Sequence, residues 1–231
     1  MESWIDPTGT PDGHFVTDHD HGQGRHGHQA SLGDGLDFVN TLEFDKGQPT
    51  EELVDQETAI RWFQEHALLH RSTADGLVAE YARDEEAAAK LMQRVRRVRA
   101  ALRELLDAAV MRRPAEASAL REVNRALRAP YIYELVPAAD GVSLDHRHEG
   151  DPISGALARL SEAVARELTA GDTKRLRICA NDECRWVFRD NSSAGRRKWC
   201  DMSTCGNRAK AARHRERQKA KEDEQPALPA V

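Results

Sequence analysis

Long apolar runs are missing from this 231-residue chain. None approaches the roughly 18 residues that a membrane-crossing helix needs. The first residues are acidic and polar, with no apolar core segment of the secretory kind. Both absences lead us to expect a cytoplasmic protein with no membrane partner. Aromatic residues are scarce, at 5%, while charged residues reach 32%, which suits a helical soluble protein. Catalytic signatures are also missing. There is no Gly-rich phosphate loop, no nucleophile elbow and no HExxH pair, so an enzyme is the least expected class.

Cysteine is scarce too, with four residues, but their placement carries information. Cys179, Cys184, Cys200 and Cys205 all fall in the last quarter of the chain, as two C-x4-C pairs with fifteen residues between them. Four thiolates grouped in this way suit a tetrahedral divalent metal, and soft sulfur ligands in a closed tetrahedron favour zinc. The competing readings are two disulfides or four unrelated thiols. A cytosolic chain keeps its thiols reduced, which disfavours the first, and the clustering disfavours the second. Leu176, Ile178, Trp186, Val187 and Phe188 supply two strand-like runs around the first pair, placing Cys179 and Cys184 in a hairpin turn. Trp186 and Trp199 read as the small core of this module rather than as stacking platforms.

Proline is absent between Cys200 and Pro226, and the Ala- and Arg-rich stretch there is expected to run as a helix from about Thr204. At 100° steps Arg208, Arg215 and Lys219 fall on one side, and Lys210, Arg213, Arg217 and Lys221 on the other. A helix polar all round has no stripe to bury. From Lys174 to Lys219 the charge balance is +9, against −14 for the remaining residues. Four thiolates and one zinc ion lower the module to +7. A basic module on an acidic body is the electrostatic footprint of a nucleic-acid binder, and Arg196, Arg197 and Lys198 add to it. One alternative is a solvated tail that aids solubility; the other is a zinc-dependent module that serves protein contacts or binds RNA without affinity for duplex DNA.

The run from Trp199 to Lys210, WCDMSTCGNRAK, resembles the CGNR zinc-finger family, named for residues that stand here as Cys205 to Arg208. Arg177-Ile178-Cys179, Phe188-Arg189-Asp190 and Arg196-Arg197-Lys198-Trp199-Cys200 are also similar to its pattern. The chain departs at Asn191-Ser192-Ser193, where the family often has an Arg beside the serine. In that family the finger typically ends a bacterial protein whose N-terminal part is an ABATE domain. The resemblance implies a transcription regulator that senses a ligand through the ABATE part and binds DNA through the finger, with zinc on Cys179, Cys184, Cys200 and Cys205. Within the signature, Gly206 reads as a tight turn past the sulfur. Asn207 reads as a structural amide or an adenine reader. Arg208 reads as a phosphate clamp or a partner of Asp201.

The expected fold is mainly α with a small β-hairpin, an α+β N-terminal domain over 31–171, followed by a zinc-bound, treble-clef-like module over 174–221. Residues 1–30 and 222–231 are expected to be disordered tails. The first tail carries His14, His19, His21, His26 and His28, whose spacing allows weak chelation. Leu36 to Phe44 is an apolar run around Asn40 and Thr41, which are either ligand contacts or satisfied structural groups. Asp55 precedes a helix to His66. A long helix is expected from about Ala74 to Arg112, seamed by Leu91, Val95, Val98, Leu102, Leu105 and Ala109. Its Arg94, Arg96, Arg97, Arg99 and Arg103 read as a solvated face pairing with acidic neighbours, and the seam permits a homodimer. Pro114 is expected to open a helix through Arg128 with Leu120, Val123 and Leu127 on one face. Tyr131 to Val136 and Val142 to His148 read as a hairpin, with His146 and His148 on one face. Pro152 begins a final helix to Thr169, closed by Gly171-Asp172.

Overall fold

The computed structural model describes residues 30–45, 48–138 and 141–223. The expected tails, with their five histidines, fall outside the described residues except for Ala30, which packs against the core, and the end of the last helix. Seven helices and three two-stranded antiparallel hairpins are described. Helix α1 spans Leu32–Asn40, strands β1 and β2 span Leu42–Asp45 and Gln48–Glu51, and α2 spans Gln56–Glu65. Helices α3 (Arg71–Tyr81), α4 (Glu85–Met111) and α5 (Ala117–Ala126) follow. Then come hairpin β3 (Tyr131–Ala138) and β4 (Gly141–His148), helix α6 (Pro152–Ala170), hairpin β5 (Leu176–Ile178) and β6 (Val187–Arg189), and α7 (Asn207–Asp223). Among the described residues no helix is long and apolar enough to cross a membrane.

The core is organised around α4, which packs against α1, α2, α3, α5, α6 and β5. Leu91, Val95, Val98, Leu102 and Leu105 are all buried, so the apolar seam is used inside the chain. At the crossing of α1 and α6, a Cβ on Gly35 would lie 2.7 Å from Val164 Cγ2, and only glycine allows the two helices this close.

The expected single helix over 74–112 is two helices. Asp84 caps the second, its side chain accepting from the Ala87 N–H at 2.9 Å, and Glu85 and Glu86 suit the positive end that the cap creates. The seam from Leu91 to Ala109 lies wholly within α4, so it held no signal for the chain before Asp84. Helix α5 starts three residues after Pro114, and Leu120 is 45% exposed while Ala119 and Val123 are buried. Hairpin β1–β2 was not expected from the sequence, since its strands are short and its second strand, QPTE, is polar. Helix α4's arginines do pair with acids. Arg94 meets Asp151 at 2.6 Å and Arg103 meets Asp107 at 2.8 Å. Arg99, however, is 4% exposed rather than solvated, and it donates to Glu51 at 2.6 Å and to Thr41 Oγ1 at 2.8 Å. Burial acts to raise the Glu51 carboxyl, but the Arg99 bonds win and hold it below its usual range.

Capping of α1 by Ser31 contributes to the acid response of the domain. Ser31 and Asp34 form a reciprocal capping box, and Asp34 also faces the His66 ring at 3.3 Å. Burial acts to raise the Asp34 carboxyl, but the His66 and Ser31 hydrogen bonds overcome it and bring it to about 2. A carboxyl lowered on folding stabilises above its unfolded value and loses that contribution as pH falls through the folded one. We expect Asp34 to contribute about 2 kcal/mol near neutrality, lost between roughly pH 4 and pH 2. Denaturant titrations of D34N across that window should give a flatter acid limb than the parent chain gives.

Candidate metal centre

The second C-x4-C half and the first meet because two local structures are brought together. Strands β5 and β6 pair with Leu176 opposite Arg189 and Ile178 opposite Val187, and the chain between them turns tightly as a knuckle. In that knuckle the Cys179 N–H donates to the Trp186 carbonyl at 2.8 Å and the Cys184 N–H to the Asn181 carbonyl at 2.8 Å. Arg185 closes it with a left-handed backbone, φ +56°. That conformation costs a non-glycine residue about 1 kcal/mol. Contacts offset the cost, since the Arg185 carbonyl accepts from Arg103 and its guanidinium lies 5.1 Å from the centre of the Phe44 ring.

Cys200 and Cys205 arrive from the other side. Asp201 caps a wide helical turn, Met202–Gly206, by accepting from the Thr204 N–H at 2.8 Å and the Ser203 hydroxyl at 2.5 Å. Those bonds hold the Asp201 carboxyl below its usual value. Arg208 has no ion pair among the described residues, so the expected pairing with Asp201 is not seen. Gly206 does not take a left-handed conformation, and the space a side chain would need is filled by the Met202 thioether, 2.7 Å from a built Cβ. Asn207 donates from Nδ2 to the Ser203 carbonyl at 2.9 Å, the structural alternative for this amide.

The four sulfurs lie within 4.8 Å of one another, and all four cysteines are free thiols. Cys184 and Cys200 sulfurs are 3.6 Å apart, and Cys200 and Cys205 sulfurs 3.8 Å apart. A tetrahedron with zinc–sulfur bonds of ~2.3 Å has edges of about 3.8 Å, so the donor set fits zinc closely. A disulfide needs about 2.05 Å, which excludes that reading for these pairs. Burial pushes the Cys184 thiol up to about 12 and also raises Cys200, where the Cys179 and Cys184 sulfurs add repulsion. At Cys205 the same burial is outweighed, and the thiol is lowered, by the Asn181 amide at 3.5 Å and the neighbouring sulfurs. Four sulfurs crowded in a partly buried cluster become a stable set of thiolates only around a divalent cation.

Sequence reasoning missed Asp190 and the arginines that serve the loop after β6. Asp190 is 1% exposed and accepts from the Ser192 hydroxyl at 2.6 Å and from the Arg197 N–H at 2.8 Å. The Ser192 bond is the main reason its carboxyl stands at about 2. Arg175 donates to the Ser192 carbonyl at 2.7 Å and Arg177 to the Gly195 carbonyl at 3.0 Å. Gly195, at φ +59°, leaves room for the Arg175 guanidinium. Arg197, expected at the nucleic-acid surface, instead donates to the Cys200 carbonyl and lies 5.4 Å from the centre of the Phe188 ring. The signal for these roles was local: an Asp followed two residues later by Ser is the pattern of an Asx turn.

The other expected basic residues stay at the surface. Arg196, Lys198, Arg208, Lys210, Arg213, Arg215 and Arg217 are all exposed. Arg213 reaches back over the Trp199 ring at 5.9 Å, which anchors α7 to the cluster. Trp186 and Trp199 pack with Phe188 around the cysteines.

Asn40 and Thr41 are engaged internally. The Asn40 amide donates to the Val187 carbonyl at 2.9 Å and accepts from the Val187 N–H at 2.9 Å. Thr41 donates to the Phe38 carbonyl at 2.7 Å. The boundary near residue 172 is therefore no loose linker, because Leu176 and Val187 belong to the same buried cluster as α4 and α6. Beside the Asn40–Val187 contact lies an open cleft of about 330 Å³, lined by Leu32, Leu36, Asp37, Trp186, Arg189 and Cys200 among others.

Two measurements follow from this geometry. Cys200→Ser should lower bound zinc well below one equivalent per chain by elemental analysis. Asn40→Ala leaves a buried backbone N–H and carbonyl without their partner, at a cost of about 2 kcal/mol. We expect it to lower Tm by roughly 4–8 °C in one cooperative transition, read by calorimetry.

Comparison with family models agrees with this division of the chain. A model described as "CGNR zinc finger" matches residues 175–218, and the ABATE model, described as "Putative stress-induced transcription regulator", matches residues 35–172. No curated protein matches the chain. With more than half its residues under the one model and its four-sulfur cluster under the other, the chain belongs to the ABATE family and ends in a zinc-binding CGNR finger.

Proposed function

We propose that this is a cytoplasmic, DNA-binding transcription regulator in which Cys179, Cys184, Cys200 and Cys205 hold one zinc ion and present α7 to duplex DNA. The observation that carries the reading is α7 itself. It runs from Asn207 to Asp223 directly after the turn that holds Cys205, and its cations project into solvent on all sides. Six exposed cations, Arg208, Lys210, Arg213, Arg215, Arg217 and Lys219, share residues 208–219 with one acid, Glu216, and the helix then ends on Lys221, Glu222 and Asp223. A helix of this length is ~25 Å long, shorter than the roughly 34 Å of one duplex turn but enough to lie along part of the major groove. Arg196 and Lys198, on the loop braced by Asp190, add phosphate contacts beside it.

The acidic remainder of the chain repels the phosphate backbone, which confines contact to the finger and its helix. Zinc supplies no chemistry in this reading. It fixes the geometry between the knuckle and the start of α7. Ligand sensing fits the junction cleft better than Asn40 or Thr41 alone. A molecule seated there touches α1 on one side and Trp186 and Cys200 on the other, so it bears on both halves of the chain.

The test is a salt series of duplex binding by fluorescence anisotropy. Arg215→Ala with Arg217→Ala should weaken binding at low salt and reduce the slope of log K against log salt by about 2. Treatment with a chelator should remove specific binding. A zinc-loaded chain with no affinity for duplex at low salt sinks the proposal and leaves the protein-contact or RNA reading.

A further inference from the structure

The knuckle between β5 and β6 holds a polar side chain that is not a ligand but reaches one. Asn181 Nδ2 donates to Cys205 Sγ at 3.5 Å, across the 24 residues that separate the two in sequence. The amide is oriented from its other end, where Oδ1 accepts from the Glu183 N–H at 3.3 Å. An oxygen engaged with a donor leaves the nitrogen as the atom that faces the sulfur. The Asn181 carbonyl also accepts from the Cys184 N–H at 2.8 Å and the Arg185 N–H at 3.1 Å. One residue therefore touches a cysteine of each pair, through its main chain on one side and its side chain on the other.

The neighbouring sulfurs are served differently. Cys184 accepts from the Trp186 N–H, a main-chain bond that any residue but proline could make there. Among the described residues the hydrogen-bond partners of Cys200 Sγ are other sulfurs, and Cys200 is the ligand that lines the open cleft. Cys205, at 4% exposed, is the buried sulfur whose donor depends on the identity of a side chain. A buried thiolate that accepts an N–H keeps its charge at lower cost and gives up part of its electron density to the donor. Four thiolates outweigh one divalent ion, so the loaded cluster is negative. With Asp182 and Glu183 next in sequence, a neutral amide donor suits position 181 better than a carboxylate does.

We propose that Asn181 is a positioning residue of the zinc site: its amide N–H holds Cys205 Sγ against the knuckle and retains it as a ligand, while the unbraced Cys200 is the corner at which metal enters and leaves. Cys205 stands two residues before α7, so the same bond keeps the start of the basic helix on the cluster when another ligand detaches. The amide acts from outside the coordination sphere. Outer-shell partners of this kind typically govern metal affinity by about 10- to 100-fold. The proposal rests on zinc at the four cysteines and does not depend on DNA binding.

The experiment compares the full chain with Asn181→Ser and Asn181→Asp. Serine keeps an acceptor for the Glu183 N–H but is too short to reach the sulfur, and aspartate keeps the side chain's shape while exchanging the donor for a negative charge. The Ala180 N–H still donates to the Lys198 carbonyl at 2.8 Å, so the two halves of the finger are expected to stay together, checked by circular dichroism. Competition with a chromogenic chelator should show zinc held roughly 10-fold more weakly in Asn181→Ser, and more weakly again in Asn181→Asp. In cobalt-loaded protein the sulfur-to-metal charge-transfer band should move to longer wavelength in Asn181→Ser, because a thiolate without its donor gives up charge more readily. Substoichiometric N-ethylmaleimide should alkylate the zinc-loaded parent at Cys200 before Cys205, and Asn181→Ser should narrow that gap. Unchanged zinc affinity in both variants overturns the proposal, as does a parent alkylated first at Cys205. Weaker zinc with an unmoved cobalt band marks a residue that only shapes the turn, and overturns it too. A parent that binds no zinc by elemental analysis overturns the metal centre itself, and this role with it.

Discussion

The zinc finger and the helical domain depend on one shared hydrophobic core. Leu176 and Val187 stand at opposite ends of the short β5–β6 hairpin, and both are completely buried among the residues of α4 and α6. The Asn40 amide then fixes the register, meeting both the N–H and the carbonyl of Val187. A buried amide with both its donor and its acceptor matched in this way tolerates no sliding of the hairpin, because any shift leaves unpaired polar groups in a low-dielectric setting. Arg103 on the Arg185 carbonyl and Arg189 beside Glu167 hold the rim of the same contact.

This arrangement changes what the metal does. A free-standing finger of some fifty residues folds because the metal compensates for a core that is too small. Here one strand pair of the finger borrows a core from the domain, and the sulfur cluster is left to join that pair to the turn before α7. The cysteines thus stand between the helices, met through Val187, and the basic helix, which follows Cys205. A cleft that touches Asn40 and Cys200 lies at this junction.

Much of this was legible in the chain. Two C-x4-C pairs in a cytosolic-looking sequence named the ligands because thiolates cluster for few other reasons. The all-round polarity of residues 207–219 identified a helix with nothing to bury, and the aspartate at 55 and the proline at 152 marked true helix starts, whereas helix α1 behind Ser31 went unread. Errors arose where local signals competed. The seam from Leu91 to Ala109 belongs to α4 alone and gave no warning of the break at Asp84, and Pro114 does not open α5, since the helix starts only at Ala117. Arg197 looked like one more surface cation, since charge counting cannot tell a guanidinium that braces a loop from one that faces solvent.

Composition and spacing alone determined the fold class, the metal-binding residues and the sign of the charge on each half, because each depends on residues close together in the sequence. Whether Asn40 serves a ligand or a strand, and whether Arg99 is solvated or buried beside Glu51, were decided by contacts spanning 48 to 147 residues. A side chain's chemistry states which bonds it can make. Only the folded chain determines which partner stands within reach, and the free energy of burying the two together settles the choice.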